Sequence, residues 1–188
     1  MPALLLAGPA AEPLTLAEAK AFLRIDHDAE DALVAALVTA ARATVEALTR
    51  RVLIDQQWRV VRDAWPASGL LRVPVNPARA ILAAHVLDAE GGEVAVPLAA
   101  LRLDGARLPG LIRVEPGAVP APARRPGGIR IDLRAGHGPG AADVPAPLVA
   151  AVRLVLAHFY EHRDVPAAAS AFPASLDTLV APWRVARL

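Results

Sequence analysis

The residues of this chain best suited to chemistry lie in the run His158-Phe-Tyr-Glu-His162. Two imidazoles four positions apart share one helix face and could both ligate zinc, with Glu161 beside them to activate water. The order H-x-x-E-H is that of inverted zinc peptidases. The pattern fails on its next requirement, a further ligand from a downstream glutamate: after Glu161 the only acidic residues are Asp164 and Asp177. The plainer reading puts His158 at a helix contact, and His162 with Arg163 at a helix C-terminus, where the dipole favours positive charge. A second candidate, Gly136-His-Gly-Pro-Gly140, stands between a strand and a helix as phosphate loops do. It lacks the GxGxxG spacing and the Lys-Ser/Thr pair, and Pro139 removes an amide from any cradle, so it reads as a tight turn. His27, between Asp26 and Asp28, reads as part of a helix-start loop. No Ser-His-Asp order or paired carboxylates stand out, and no catalytic residue, metal ligand or cofactor is assigned.

The elements that must position these residues follow from capping and periodicity. Thr15-Leu-Ala-Glu18 has the form of a capping box and predicts a helix over 15–24. Asp26 or Asp28 then caps a second helix over 28–49, with Glu30 and Asp31 in its first turn. Leu33, Leu37, Ala40, Ala41, Val45 and Leu48 recur along it at three- and four-residue spacing. Alanines at 32, 35, 36, 43 and 47 permit close approach of a neighbour, which favours helix-on-helix packing within a subunit or between subunits. From Leu53 the period shortens. Strands are predicted at 57–62, 70–73, 80–87 and 129–133, with turn signals at Pro66, Asn76-Pro77, Gly91-Gly92 and Gly127-Gly128. Residues 116–126 hold four prolines and Arg124-Arg125 and read as an exposed loop. Pro145 and Pro147 open a helix over 146–163 that buries Leu148, Val152, Val155 and Phe159. Pro166 stops it, and a short helix near 176–180 leads into Ala181-Pro-Trp-Arg184.

The expected architecture is therefore α+β and mainly helical. An N-terminal helix pair and C-terminal helices surround a small antiparallel β insertion over 54–135. Residues 1–13 are expected to be a flexible N-terminus, 14–164 a core, and 165–188 a linker, short helix and C-terminal tail. Trp183, beside Arg184 in that tail, either folds onto the chain's own core or, with Arg187 and Leu188, anchors a docking peptide; large aromatics and arginines are the residue types that dominate interfaces.

Composition narrows function only by exclusion. Twenty Lys+Arg against 19 Asp+Glu gives a net charge of +1, so the whole-chain field gives no reason to expect strong binding to nucleic acid or an anionic membrane. Residues 95–188 carry 11 basic and 7 acidic side chains, a mild local excess. With no cysteine, disulfides, thiolate metal sites and cysteine nucleophiles are excluded. The apolar run Ala3-Leu-Leu-Leu-Ala7 lacks the basic flank of a signal peptide, and no run approaches the roughly 18 apolar residues of a membrane span.

The motifs taken in order carry a resemblance. Leu14-Thr-Leu-Ala-Glu-Ala-Lys-Ala-Phe-Leu-Arg24 precedes the acidic turn Asp26-His-Asp-Ala-Glu-Asp31 and the alanine-rich helix. Arg51-Val-Leu-Ile-Asp-Gln-Gln-Trp58, Val73-Pro-Val-Asn-Pro77 and Val86-Leu-Asp-Ala-Glu-Gly91 follow. Gly136-His-Gly138, Val144-Pro-Ala-Pro-Leu148, Phe159-Tyr-Glu-His-Arg163 and Leu179-Val-Ala-Pro-Trp-Arg184 close the chain. Over nearly its whole length the sequence resembles the head-to-tail connector (adaptor) proteins of long-tailed bacteriophages and gene transfer agents. His137 stands where that family usually has an aromatic, and Trp183 where it has tyrosine. No single motif is specific; their order and spacing are.

The resemblance implies a structural virion protein and not an enzyme. It would form a homo-oligomeric ring, dodecameric in the particle, between the portal and a tail-side stopper or tail protein. DNA would pass through the lumen without sequence-specific binding, and no membrane would be involved. The alanine-rich helix would pack on neighbouring subunits and the tail would reach the portal. The location would be the particle neck after synthesis in the bacterial cytoplasm. Two other classes compete: a zinc hydrolase using His158, Glu161 and His162, and a DNA-binding module using the basic C-terminal half.

Overall fold

A computed structural model describes residues 3–162 and 172–185. The chain divides into two compact units, one formed by residues 3–8 with 55–136, the other by residues 9–54 with the described residues from 137 onward. The sequence reading placed residues 14–164 in a single core. The excursion from residue 55 to 136 instead builds a hydrophobic core of its own.

That first unit is all β. Strands β1 (Ala3–Ala7), β2 (Gln56–Arg62), β3 (Leu70–Arg72), β4 (Ala78–Leu87), β5 (Glu93–Ala95), β6 (Leu101–Asp104), β7 (Leu111–Val114) and β8 (Ile129–Ala135) form two antiparallel sheets. One has the order β1-β2-β8-β4-β5 and the other β3-β7-β6. Alternation sets the faces. Val60 pairs with Ile131, which pairs with Ala84, and all three are buried. Arg59 and Asp132, one position along, face the other side and form a bidentate ion pair with Nε–Oδ1 of 2.7 Å. Leu71, Ile112, Val114 and Leu101 of the smaller sheet join Ile129, Ile131 and Leu133 in the same core.

Two expectations are corrected here. Residues 3–7, expected to belong to a flexible N-terminus, form β1 and pair with β2 from Ala3↔Val60 to Ala7↔Gln57. Their apolar run carries no alternation, so periodicity could not mark it as a half-buried strand. The expected β insertion also holds seven strands where four were predicted, and β1 makes the eighth of the unit. β6 and β7 are four residues each, too short to stand out against their loops, and strand and helix are close to balanced among the described residues.

The second unit is helical: α1 (Leu16–Leu23), α2 (Asp31–Thr49), α3 (Ala146–Glu161) and α4 (Ala174–Val180). The Thr15 capping box forms, with the Glu18 amide donating to Thr15 Oγ1 at 3.2 Å and the Thr15 amide donating to Glu18 Oε2 at 2.8 Å. Arg24 ends α1 in the left-handed conformation at φ 59°. α2 starts at Asp31, three residues later than predicted, and its N-cap Glu30 makes no side-chain cap. The carboxylates of Asp28 and Asp31 bind Lys20 on α1 instead, Asp31 at 2.7 Å, so the acidic turn ties two helices together. Both anions, Asp28 before Asp31, hold the Lys20 ammonium above its usual range.

Val34, Val38, Ala41 and Val45 of α2 pack with Leu148, Ala151, Val152 and Val155 of α3 in one buried cluster, joined by Leu53, Ile54, Leu176 and Val180. Arg42, at 8% exposure, lies on this side of α2. Its guanidinium binds Glu12 at 2.7 Å and Glu46 at 2.8 Å, and Glu46 also accepts from the Leu53 amide. Removing the cation would leave two partly buried carboxylates facing each other. Arg42→Ala is expected to cost about 3 kcal/mol, as for other broken buried pairs, against less than about 0.5 kcal/mol for Leu108→Ala on the surface; urea unfolding of both variants measures this.

Candidate docking site and interaction surfaces

α3 carries the H-x-x-E-H run. His158 points into the helical core, its ring 4.5 Å from that of His162 and 4.9 Å from that of Phe172. His162 Nδ1 lies 3.0 Å from the His158 carbonyl oxygen, while Glu161 is exposed. The two imidazoles stack on each other, and His158 also packs at a tilt against Phe172, so the buried ring is engaged in packing. Among the described residues no group of three His, Cys, Asp or Glu is arranged to hold a metal ion.

The glycine loop is held by its own chain. Gly136 has φ 141°, a conformation that suits glycine. A Cβ at Gly138 would come within 2.2 Å of the Asp143 side chain. Asp143 Oδ2 accepts from the Gly140 amide at 2.9 Å, and Gly138 bridges to Ile54. The turn positions the start of α3 and offers no cradle for phosphate.

The C-terminal segment is more informative. Trp183 is half-buried and packs against the helical core. The Arg51 guanidinium stands over its ring at 5.2 Å, and Arg51 Nε donates to the Trp183 carbonyl at 2.6 Å. His137 meets the same ring edge-on, with centroids 6.1 Å apart. The next residues are pinned as well, because the buried Val185 donates its amide to the Thr49 carbonyl at 3.0 Å. Of the two readings open for Trp183, the structure shows the side chain folded onto its own unit. His137, which replaces the usual aromatic of the family pattern, supplies the ring that touches it. Arg184 is largely exposed and pairs with Asp177 at 2.6 Å. Arg187 and Leu188 lie outside the described residues, as do Arg163, Asp164 and Pro166.

α2 presents two unlike faces. Ala41 and Val45, both named as subunit-packing candidates, are fully buried in the unit's own core, and Leu37 and Leu48 pack half-buried against it. Leu33 and Ala40 are exposed. With Ala32, Ala36, Ala43 and Ala47 they form a bare apolar stripe, small except for Leu33, on the other side. Counting every apolar residue alike merges the two faces; the valines mark the core. α2 is also the one described helix long and apolar enough to cross a membrane, with mean hydropathy 1.5 over its window. That hydropathy comes from two sources, the buried valine stripe of the core and the exposed alanine stripe opposite it.

Comparison with known proteins agrees with this architecture. The chain aligns over its full length with a protein in the neck of an empty gene transfer agent particle computed with C6 symmetry. The two share 32% identity at a TM-score of 0.83, covering 100% of this chain and 97% of the other. It aligns equally with a chain in the virion of a native gene transfer agent particle, at 30% identity, TM-score 0.82 and the same coverage. A third match, at 28% identity and TM-score 0.71, covers 98% of this chain and 97% of one in the neck of a native particle computed with C12 symmetry. No curated protein matches the chain. All three matched chains lie in gene transfer agent particles. The sequence profile of phage gp6-like head-tail connector proteins matches residues 13–86, and the chain belongs to this connector family.

The packing of His137 has a measurable consequence. Burial, and then the nearby Arg51 cation, push its imidazole below the ordinary range. The folded chain therefore binds fewer protons at this site than the unfolded chain does. The resulting loss of stability begins as pH falls below about 6.5 and is absent above it. Urea unfolding at pH 7 and pH 5 is expected to show a smaller loss for His137→Gln than for the parent. Trp183→Ala, which strips Arg51 and His137 of their partner, is expected to cost about 2 kcal/mol at pH 7.

Proposed function

We propose that the protein is a structural component of the particle neck, a head-to-tail connector that forms a ring and joins the portal to the tail, and not an enzyme. The observation that carries this reading is full-length similarity, at 32% identity, to a protein in a gene transfer agent neck computed with C6 symmetry. The C12 neck match supports a ring of twelve copies. In this reading the subunits are made in the bacterial cytoplasm and assemble on the portal. A stopper or other tail protein binds the opposite side, and DNA passes through the lumen without sequence-specific recognition.

The exposed alanine stripe of α2 supports subunit packing. Small side chains let a neighbouring backbone approach closely, and a stripe at three- and four-residue spacing runs straight along one helix side. Leu33 and Ala40 carry that role here. The tail docks on the portal through Trp183, Arg184, Arg187 and Leu188, with Trp183 fixing its root against Arg51 and His137. A modest contact repeated around a ring gains avidity that a single tail lacks.

Because Trp183 and Val185 are part of the folded unit, a clean truncation removes only residues 186–188. That variant is expected to keep the parent's thermal transition and lose most of its capture by immobilised portal. Ala40→Glu is expected to keep the fold and reduce incorporation into particles at least tenfold. Normal incorporation of Ala40→Glu contradicts the role of the stripe, and undiminished portal capture by the truncated chain contradicts the docking assignment.

A further inference from the structure

Most large apolar side chains left exposed by this fold are gathered at two places. Among the described residues nine are exposed, and five of them, Leu4, Leu5, Leu6, Val94 and Leu98, lie on or just beyond the outer strands of the five-stranded sheet. β1 is one outer strand. Its sequence is Ala-Leu-Leu-Leu-Ala, its leucines are 45–53% exposed, and successive ones point to opposite faces, so neither face is covered. Natural sheets usually guard an outer strand with charge, proline or a bulge. β1 has no charged residue or internal proline, and one register irregularity between Leu5 and Ala7. At the other side of the sheet β5 is exposed throughout, with Val94 at 44% and Leu98, just beyond it, at 43%. Among the described residues each outer strand is paired on one side only and carries bare apolar side chains, which is what strand addition uses.

We propose that these are the two halves of one subunit contact: the free side of β1 in one copy adds to the free side of β5 in the next, continuing the sheet from subunit to subunit. The occupant of each side is thus a second copy of this chain. Two different patches on one molecule make a heterologous contact, which closes into a ring when the rotation closes. The strand directions fix how the copies meet. Five strands paired antiparallel throughout leave β1 and β5 pointing the same way. Copies related by the small rotations of a ring keep that direction, so the junction is parallel, unlike the pairings within the five-stranded sheet. The inference rests on the ring reading above and adds to it a contact separate from the α2 stripe.

The absence of cysteine makes the contact directly testable. Leu5→Cys and Val94→Cys are introduced together and purified particles are treated with a short bifunctional maleimide. Within one chain these positions are four strand spacings apart, roughly 19 Å, so a short linker joins them only between copies. The expected result is a ladder of covalent species beyond the dimer on a denaturing gel. Each single variant stops at the dimer, and the control pair Leu5→Cys with Ser68→Cys gives no ladder. Normal incorporation of the double variant into particles without a ladder overturns the proposal while leaving the ring reading intact. Absence of the parent protein from particles overturns both. A second variant, Val94→Lys, changes one exposed side chain, and is expected to keep the parent's thermal transition and lower incorporation at least tenfold; unchanged incorporation again overturns the proposal.

Discussion

The packing of α2 against α3 is the constraint on which the rest of the helical unit depends. Val34, Val38, Ala41 and Val45 are spent on that contact and are almost fully buried. Four such side chains removed from water are worth several kcal/mol, by the usual ~25 cal/mol per Å² of apolar surface. With that face committed, the opposite side of a 19-residue helix must be small or polar, and the sequence makes it alanine. The surface read as a subunit contact is thus the complement of the core stripe. Arg42 sets one boundary between the two faces. It spans Glu12 before α1 and Glu46 on its own helix, while Glu46 also holds the Leu53 amide.

A similar economy governs the C-terminal segment. Arg51 leaves α2's end and supplies both a cation above the Trp183 ring and a hydrogen bond to its carbonyl. Thr49 accepts the Val185 amide. These bonds hold the segment through Val185 on the folded unit. In the β unit the committed face is the shared interior of two sheets, and what remains uncommitted is the pair of outer strands. Each unit thus closes one face by burial and leaves another apolar surface bare, an arrangement that suits a subunit more than a lone molecule.

What the sequence made legible follows the strength of its local signals. The capping box at Thr15 could be read because its two hydrogen bonds are local, three residues apart. The connector family could be read because motif order survives where single motifs are weak. The start of α2 was misplaced because Asp28 and Asp31, typical capping residues, bind Lys20, a tertiary partner that local rules do not see. The apolar positions read along α2 mixed two faces, with Ala41 and Val45 in the core and Leu33 and Ala40 exposed, since alanine and leucine count as apolar on either face. β1 was missed because a strand without alternation has no period-two signature. Trp183 was left open between two readings, since its partners Arg51 and His137 are 132 and 46 positions away in sequence. The H-x-x-E-H run shows the converse: a literal motif whose histidines stack on each other, His158 packing at a tilt against Phe172.

The connector role stands or falls on whether this chain is built into the particle neck as a ring. Quantitative mass spectrometry of gently purified particles, with the protein tagged in its native host, tests it most directly. A neck ring requires the protein at a ratio near one to one with portal subunits, both co-purifying with tail proteins. Intact particles that contain portal and tail but lack this chain would contradict it.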